Sequence, residues 1–114
     1  MKLPYGDRVS PAQIIQKLET YALNSSHSSG KHKARLFRAK LGITLENKEL
    51  LVNALLQAAS VTGAAMTISD QYGDRYVIDF LLKTEVGASL VRSAWIIRRG
   101  EAYPRLTSVY PIQG

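Results

Sequence analysis

The feature that most constrains this chain is a change of hydrophobic period at Thr62-Gly63. Before it, apolar residues recur three and four positions apart, as one face of a helix requires. Beyond it they come in dense runs of Val, Ile, Tyr and Phe that suit strands. A chain that places its helices first and its strands afterwards cannot build the alternating crossovers of a parallel sheet. The order predicts an α+β fold in which three N-terminal helices pack on a four-stranded antiparallel sheet, in two layers. At 114 residues there is room for one domain. It divides into a polar lead-in over 1–9, a helical part over 10–62 and a β-meander over 64–110.

Turn chemistry sets the element boundaries. Ser10-Pro11 has the form of an N-cap followed by proline at the first helical position. Ile14, Ile15, Leu18, Tyr21 and Ala22 then follow at helical spacing. The run NSSHSSG from Asn24 to Gly30 suits a helix–helix connection. A second helix is expected from about Lys31 to Leu41, stopping at Gly42, and a third after Thr44, with Leu50, Leu51, Ala54, Leu55 and Ala58 on its apolar stripe. Strands are expected around Ala64–Ser69, Tyr76–Leu82, Leu90–Ile97 and Arg105–Tyr110. Alternation groups Val91, Ser93, Trp95 and Ile97 on one face, with Arg92, Ala94, Ile96 and Arg98 on the other; the Trp95 and Phe80 faces turn to the helices.

Charge then narrows the function. Fifteen Lys and Arg against nine Asp and Glu leave a formal +6, which favours polyanionic partners: nucleic acid, an acidic protein or an anionic surface. With no Cys, disulfides, thiol catalysis and cysteine zinc sites are excluded. No apolar run approaches the roughly 20 residues of a membrane span, and MKLPYGDRVSP has no apolar signal region. The expectation is a cytoplasmic protein with no membrane partner.

The densest charge is Lys31-His-Lys-Ala-Arg-Leu-Phe-Arg-Ala-Lys40, without a single acid. On a helix Lys31, Arg35 and Arg38 share one face, a candidate nucleic-acid-binding surface, while His32 and Lys33 fall in the first turn. Free N–H groups and the positive end of the dipole make that turn an anion site in waiting. His32 among these cations is a candidate proton acceptor. A solvated basic face, with an unemployed surface histidine, is the structural alternative.

The last two strands hold a second basic group, Arg92, Arg98, Arg99 and Arg105, interspersed with the hydroxyls of Ser93, Thr107, Ser108 and Tyr110. Arginine forks match phosphate oxygens bidentately and hydroxyls can complete the cradle. Outward alternation from an exposed strand would place the same arginines without any ligand. His27 and His32 do not make a convincing metal pair, and no cofactor motif is present.

These segments resemble a known group. Gly30-Lys-His-Lys-Ala-Arg-Leu-Phe with Leu41-Gly42, Tyr72-Gly-Asp-Arg-Tyr-Val-Ile-Asp-Phe, Arg92-Ser-Ala-Trp-Ile-Ile-Arg and Pro104-Arg-Leu-Thr-Ser-Val-Tyr are similar to a small bacterial domain family. That family occurs as C-terminal modules of polymorphic toxins and as short stand-alone proteins, and the likeness spans roughly Leu3 to Tyr110. More loosely, the chain resembles the barnase, EndoU, colicin and RelE-type ribonuclease toxins, which place helices before a four-stranded sheet and cleave RNA without metal. That resemblance implies His32 and Lys33 as a helix-borne catalytic pair and Arg92, Ser93, Arg105 and Ser108 as a sheet-borne phosphate-binding set. The chain departs from barnase in lacking a recognisable glutamate base and from EndoU in lacking a second well-placed histidine.

The expected activity is endoribonucleolytic. RNA carries its own nucleophile, the 2′-OH, so the enzyme has only to supply a base, an acid and positive charge. His32 is expected as base, Lys33 as acid or phosphate clamp, and Arg92 and Arg105 as stabilisers of the developing charge. The products would be a 2′,3′-cyclic phosphate and a 5′-OH end, and a small acidic antitoxin or immunity protein would neutralise the activity. The rival reading is a non-catalytic basic module that docks an acidic protein or nucleic acid. Both depend on whether the second helix and the last strands meet.

Overall fold

A computed structural model describes residues 1–112. Helix α1 (Pro11–Lys17) starts as its sequence requires: the Ser10 hydroxyl accepts from the Gln13 N–H, with Pro11 at the first position. It then widens into a π turn over Leu18–Ala22. Helix α2 (Gly30–Leu41) ends on Gly42, whose left-handed backbone (φ 64°) closes it. Thr44 and Asn47 exchange capping hydrogen bonds around a short 3-10 turn, and α3 (Glu49–Val61) follows. Leu50 lies 48% exposed, so the buried stripe of α3 runs through Leu51, Val52, Leu55, Ala58 and Ala59. It is rotated from the expected one towards Val52 and Ala59.

Strands β1 (Ala65–Asp70), β2 (Gly73–Lys83), β3 (Ala88–Arg98) and β4 (Arg105–Ile112) form an antiparallel meander in chain order. The helices pack on the sheet: α3 on β2, α2 on β3 and β4, and α1 on β4. The result is the two-layer α+β arrangement the sequence order implies. Trp95, Phe37, Leu51, Ile78 and Leu106 lie at the centre of one core. The expected polar lead-in is part of it. Leu3 and Val9 are buried, and Gly6 lies so close to the Ala59 carbonyl of α3 that a side chain would collide. No helix among the described residues is long and apolar enough to cross a membrane.

One irregularity in the sheet decides which side chains reach the site. Between Trp95↔Leu106 and Ala94↔Ser108 the register slips by a residue, leaving Thr107 as the extra member of a bulge. Its hydroxyl donates to the Ala94 carbonyl (3.0 Å). Because of the slip, Leu106 and Val109 can both point into the core, while Ser108 and Tyr110 fall opposite Ala94 and Arg92 on the other side. The Gln13 side chain braces the bulged edge. It donates to the Leu106 carbonyl (2.9 Å) and accepts from the Leu106 N–H (2.8 Å), taking the place of a neighbouring strand.

Candidate functional site

The second helix and the last strands do meet, around Lys33. The lysine is half-buried on α2, and its Nζ donates to the Tyr21 hydroxyl at 2.6 Å. The same ammonium lies 4.8 Å from the centre of the Tyr21 ring and 5.5 Å from that of Tyr110 on β4. Both rings turn an electron-rich face to the ammonium, a cation–π arrangement on two sides. Tyr21 belongs to the π turn, which shifts the face a helix end presents relative to a regular α-helix. Lys33 holds the Tyr21 phenol below the usual tyrosine range, chiefly through that hydrogen bond and partly through its charge. Ser108 and Lys17 act in the same direction, against an opposing contribution from burial.

Arg92 closes the far side. Tyr110 stands directly across the β3–β4 ladder from it. Its Nε and Nη2 donate to the two oxygens of Asp79, both at 2.8 Å. Hydrogen bonding to Asp79 raises the Arg92 pKa, and Tyr110 contributes in the same direction. In return Arg92 lowers that of Asp79. Tyr21, Lys33, Ser108, Tyr110 and Arg92 thus arrive from the π turn, α2, β4 and β3 to form one polar cluster.

Three expected site residues stand elsewhere. His32 is exposed and its imidazole makes no hydrogen bond with the described residues; one position from Lys33, it turns about 100° away around the helix. Ser93 is 0% exposed. Its hydroxyl donates to the Ile78 carbonyl and accepts from the Trp95 Nε1–H, both at 2.9 Å, so it anchors the core and cannot reach a ligand. Arg105 pairs with Ile96 in the ladder, four residues along β3 from Arg92, which is about 13 Å. There it donates to both Glu101 oxygens (3.0 and 2.9 Å) and to the Tyr103 hydroxyl (2.7 Å). The Arg105 hydrogen bonds pull Glu101 down to about 2. Arg105 is therefore a structural partner of Glu101, remote from Lys33.

The anion site expected at the start of α2 is already filled from within. The His27 Nδ1 accepts from the backbone N–H of Ser29 (3.0 Å) and Gly30 (2.9 Å), and the His27 carbonyl accepts from the Lys31 N–H (2.9 Å). A nitrogen that accepts two such bonds carries no proton, which leaves the ring proton on Nε2. The imidazole also stands edge-on against Tyr21, with centroids 4.9 Å apart. Sequence reasoning missed both Tyr21 and His27. Tyr21 fits an apolar stripe as well as a site. His27 did offer a signal, since it precedes Gly30 by three residues, the reach of a side-chain cap.

Lys31, Arg35 and Arg38 are all exposed on one face of α2 and form no ion pair among the described residues, an outcome consistent with a solvated face and with a docking face. No group of three or more His, Asp or Glu among the described residues is placed to hold a metal ion. A family model described as Domain of unknown function (DUF6883) matches residues 2–113. No curated protein and no solved structure matches the chain.

Proposed function

The chain belongs to the DUF6883 family, and within that family we propose that it is a metal-independent endoribonuclease whose working pair is Lys33 and Tyr21. The observation that carries the reading is the 2.6 Å bond between the Lys33 ammonium and a phenol it acidifies, set among Ser108, Tyr110 and Arg92. RNA brings its own nucleophile, so proton transfer and charge stabilisation are what the protein must add. Tyr21 as phenolate takes the 2′-OH proton. The 2′-oxygen attacks phosphorus and the P–O5′ bond breaks. The Lys33 ammonium protonates the departing 5′-oxygen, leaving a 2′,3′-cyclic phosphate and a 5′-OH. Proton transfer from the Tyr21 phenol to the neutral Lys33 amine along their hydrogen bond then restores the starting pair. Arg92 stabilises the charge on the five-coordinate phosphorus, and Tyr110 offers a ring for a base to stack on.

The base assigned here is Tyr21 in place of His32, and Arg105 has no part in the chemistry. A small acidic protein that blocks the cluster remains the simplest means of neutralisation. The second reading, a non-catalytic module docking nucleic acid or an acidic protein, draws on Lys31, Arg35 and Arg38, which share the exposed face of α2 without an ion pair among the described residues, and on the prior engagement of Arg92 by Asp79.

Incubation with tRNA and total RNA in EDTA tests the proposal. Wild type is expected to release 2′,3′-cyclic phosphate ends, with a rate that rises with pH and levels off below the ordinary tyrosine pKa of about 10. Lys33→Ala and Tyr21→Phe are each expected to lose at least about 100-fold, the scale of one proton-transfer group. Lys33→Met should move the Tyr21 titration, followed by phenolate absorbance, back up. Intact RNA with wild type, or full activity in Tyr21→Phe, would overturn the assignment and favour the docking module.

A further inference from the structure

Ile96 is out of place. It is 6% exposed, yet alternation along β3 turns it away from Trp95 and Ile97, and it is not part of the hydrophobic core. It forms instead the apolar floor of a separate cavity of about 350 Å³ on the face of the sheet opposite the helices, ringed by Tyr72, Arg75, Arg98 and Thr107. Arg75 stands across the ladder from Ile96 on β2, and Arg98 lies two residues further on the same side of β3. Neither guanidinium has a hydrogen bond or ion pair among the described residues, because the nearby carboxylates are engaged elsewhere. Asp74 is held by Arg99 (3.1 Å) and the Ser69 hydroxyl (2.6 Å), and Glu101 by Arg105. Tyr72 is 64% exposed. Its turn is tied down where Asp70 accepts from the N–H groups of Tyr72 (2.9 Å) and Gly73 (3.3 Å).

Two free arginine forks, an exposed aromatic residue on a braced turn and an aliphatic floor are the parts needed to hold one nucleotide. The forks suit phosphate oxygens; the ring and floor suit a base that has left its stack. We infer that this cavity is a subsite for one nucleotide of single-stranded RNA, with the phosphate between Arg75 and Arg98 and the base against Tyr72 and Ile96. A duplex does not fit, since its bases stay stacked on each other and present no free ring face. The inference rests on the ribonuclease reading for the direction in which the strand runs. Arg92, Ile96 and Arg98 share one side of β3, and six residues of strand set Arg98 about 20 Å from Arg92. RNA cut at the Lys33 cluster would thus be gripped several nucleotides away.

The test uses the full chain and two probes. The first is a labelled 2′-O-methyl octauridylate, which has no 2′-OH to attack and reports binding alone by anisotropy. The second is cleavage of octauridylate compared with a diuridylate too short to span the sheet. Arg75→Gln/Arg98→Gln is expected to weaken octamer binding about tenfold and to raise the octamer KM while kcat and dinucleotide cleavage stay unchanged. Tyr72→Ala should weaken the octamer several-fold in the same assay. Lys2→Gln/Arg8→Gln, which removes equal charge outside this cavity, should have less effect. Unaltered octamer binding in the arginine double variant overturns the subsite. An equal loss in the Lys2/Arg8 control, or a parallel loss of dinucleotide cleavage, also overturns it. If wild type proves unable to cut RNA but the arginine variant still loses octamer affinity selectively, the ribonuclease reading fails while the subsite stands.

Discussion

A single serine illustrates how a side chain's face outranks its chemistry. Ser93 has a hydroxyl between two arginine-bearing stretches, which is attractive for phosphate binding. Yet the alternation that groups it with Val91, Trp95 and Ile97 already turns it to the core, and there it lies, satisfying the Trp95 N–H and the Ile78 carbonyl. Ser93→Ala should therefore act on stability. It strands a buried indole donor, at a cost of about 1–3 kcal/mol, read as a lower denaturant midpoint with an unchanged slope. The turnover of the folded fraction should match wild type. A loss of kcat at unaltered stability would return Ser93 to the site. The same logic separates the two histidines. His32 has cationic neighbours in sequence, but its own side chain is exposed, while Lys33 beside it turns into the cluster. His27 has no charged neighbour in sequence, and it is the one that holds the loop and touches Tyr21.

The elements themselves were legible because their ends are written in local chemistry: Ser10-Pro11, Gly42, Thr44 and the break at Thr62 act on the residues beside them. What was not legible is irregular. The π turn over Leu18–Ala22 and the bulge at Thr107 each shift a series of side chains, and both are tied to partners far along the chain. Gln13 reaches Leu106, and Lys33 reaches Tyr21 and Tyr110. Read without the bulge, β4 would place Leu106, Ser108 and Tyr110 on one face. Gly30 is the joint on which α2 seats against the π turn. A Cβ there would run into the Tyr21 carbonyl and crowd the Cβ of His27. Alanine is the better helix former, yet Gly30→Ala should destabilise by about 1–3 kcal/mol through overpacking. The melting temperature should fall by several degrees, with Tyr21 displaced and cleavage lost beyond the fall in folded protein. A melting temperature at or above wild type would mean that propensity wins and that the joint is loose.

Across the whole molecule, the excess positive charge is unevenly committed. Among the described residues, four ion pairs tie Arg92, Arg99, Arg105 and Lys48 to carboxylates, while the exposed face of α2 keeps Lys31, Arg35 and Arg38 without acidic partners. Charge left unpaired on a stable helix is available to a polyanion, because it need not first break an internal bond. For single-stranded nucleic acid, each phosphate contact contributes about 0.7 to the slope of log affinity against log salt. If all three cations meet phosphates, Lys31→Gln/Arg35→Gln/Arg38→Gln should flatten that slope by about 2, measured with a non-cleavable octamer over a range of salt. The substitutions are on exposed positions, so the fold and the Lys33–Tyr21 bond should survive, and turnover at saturating substrate should hold while KM rises. Parallel salt lines for variant and wild type would mean that α2 presents only a solvated face. The strand would then have to reach the Lys33 cluster along the sheet alone, past Arg98 and Arg75.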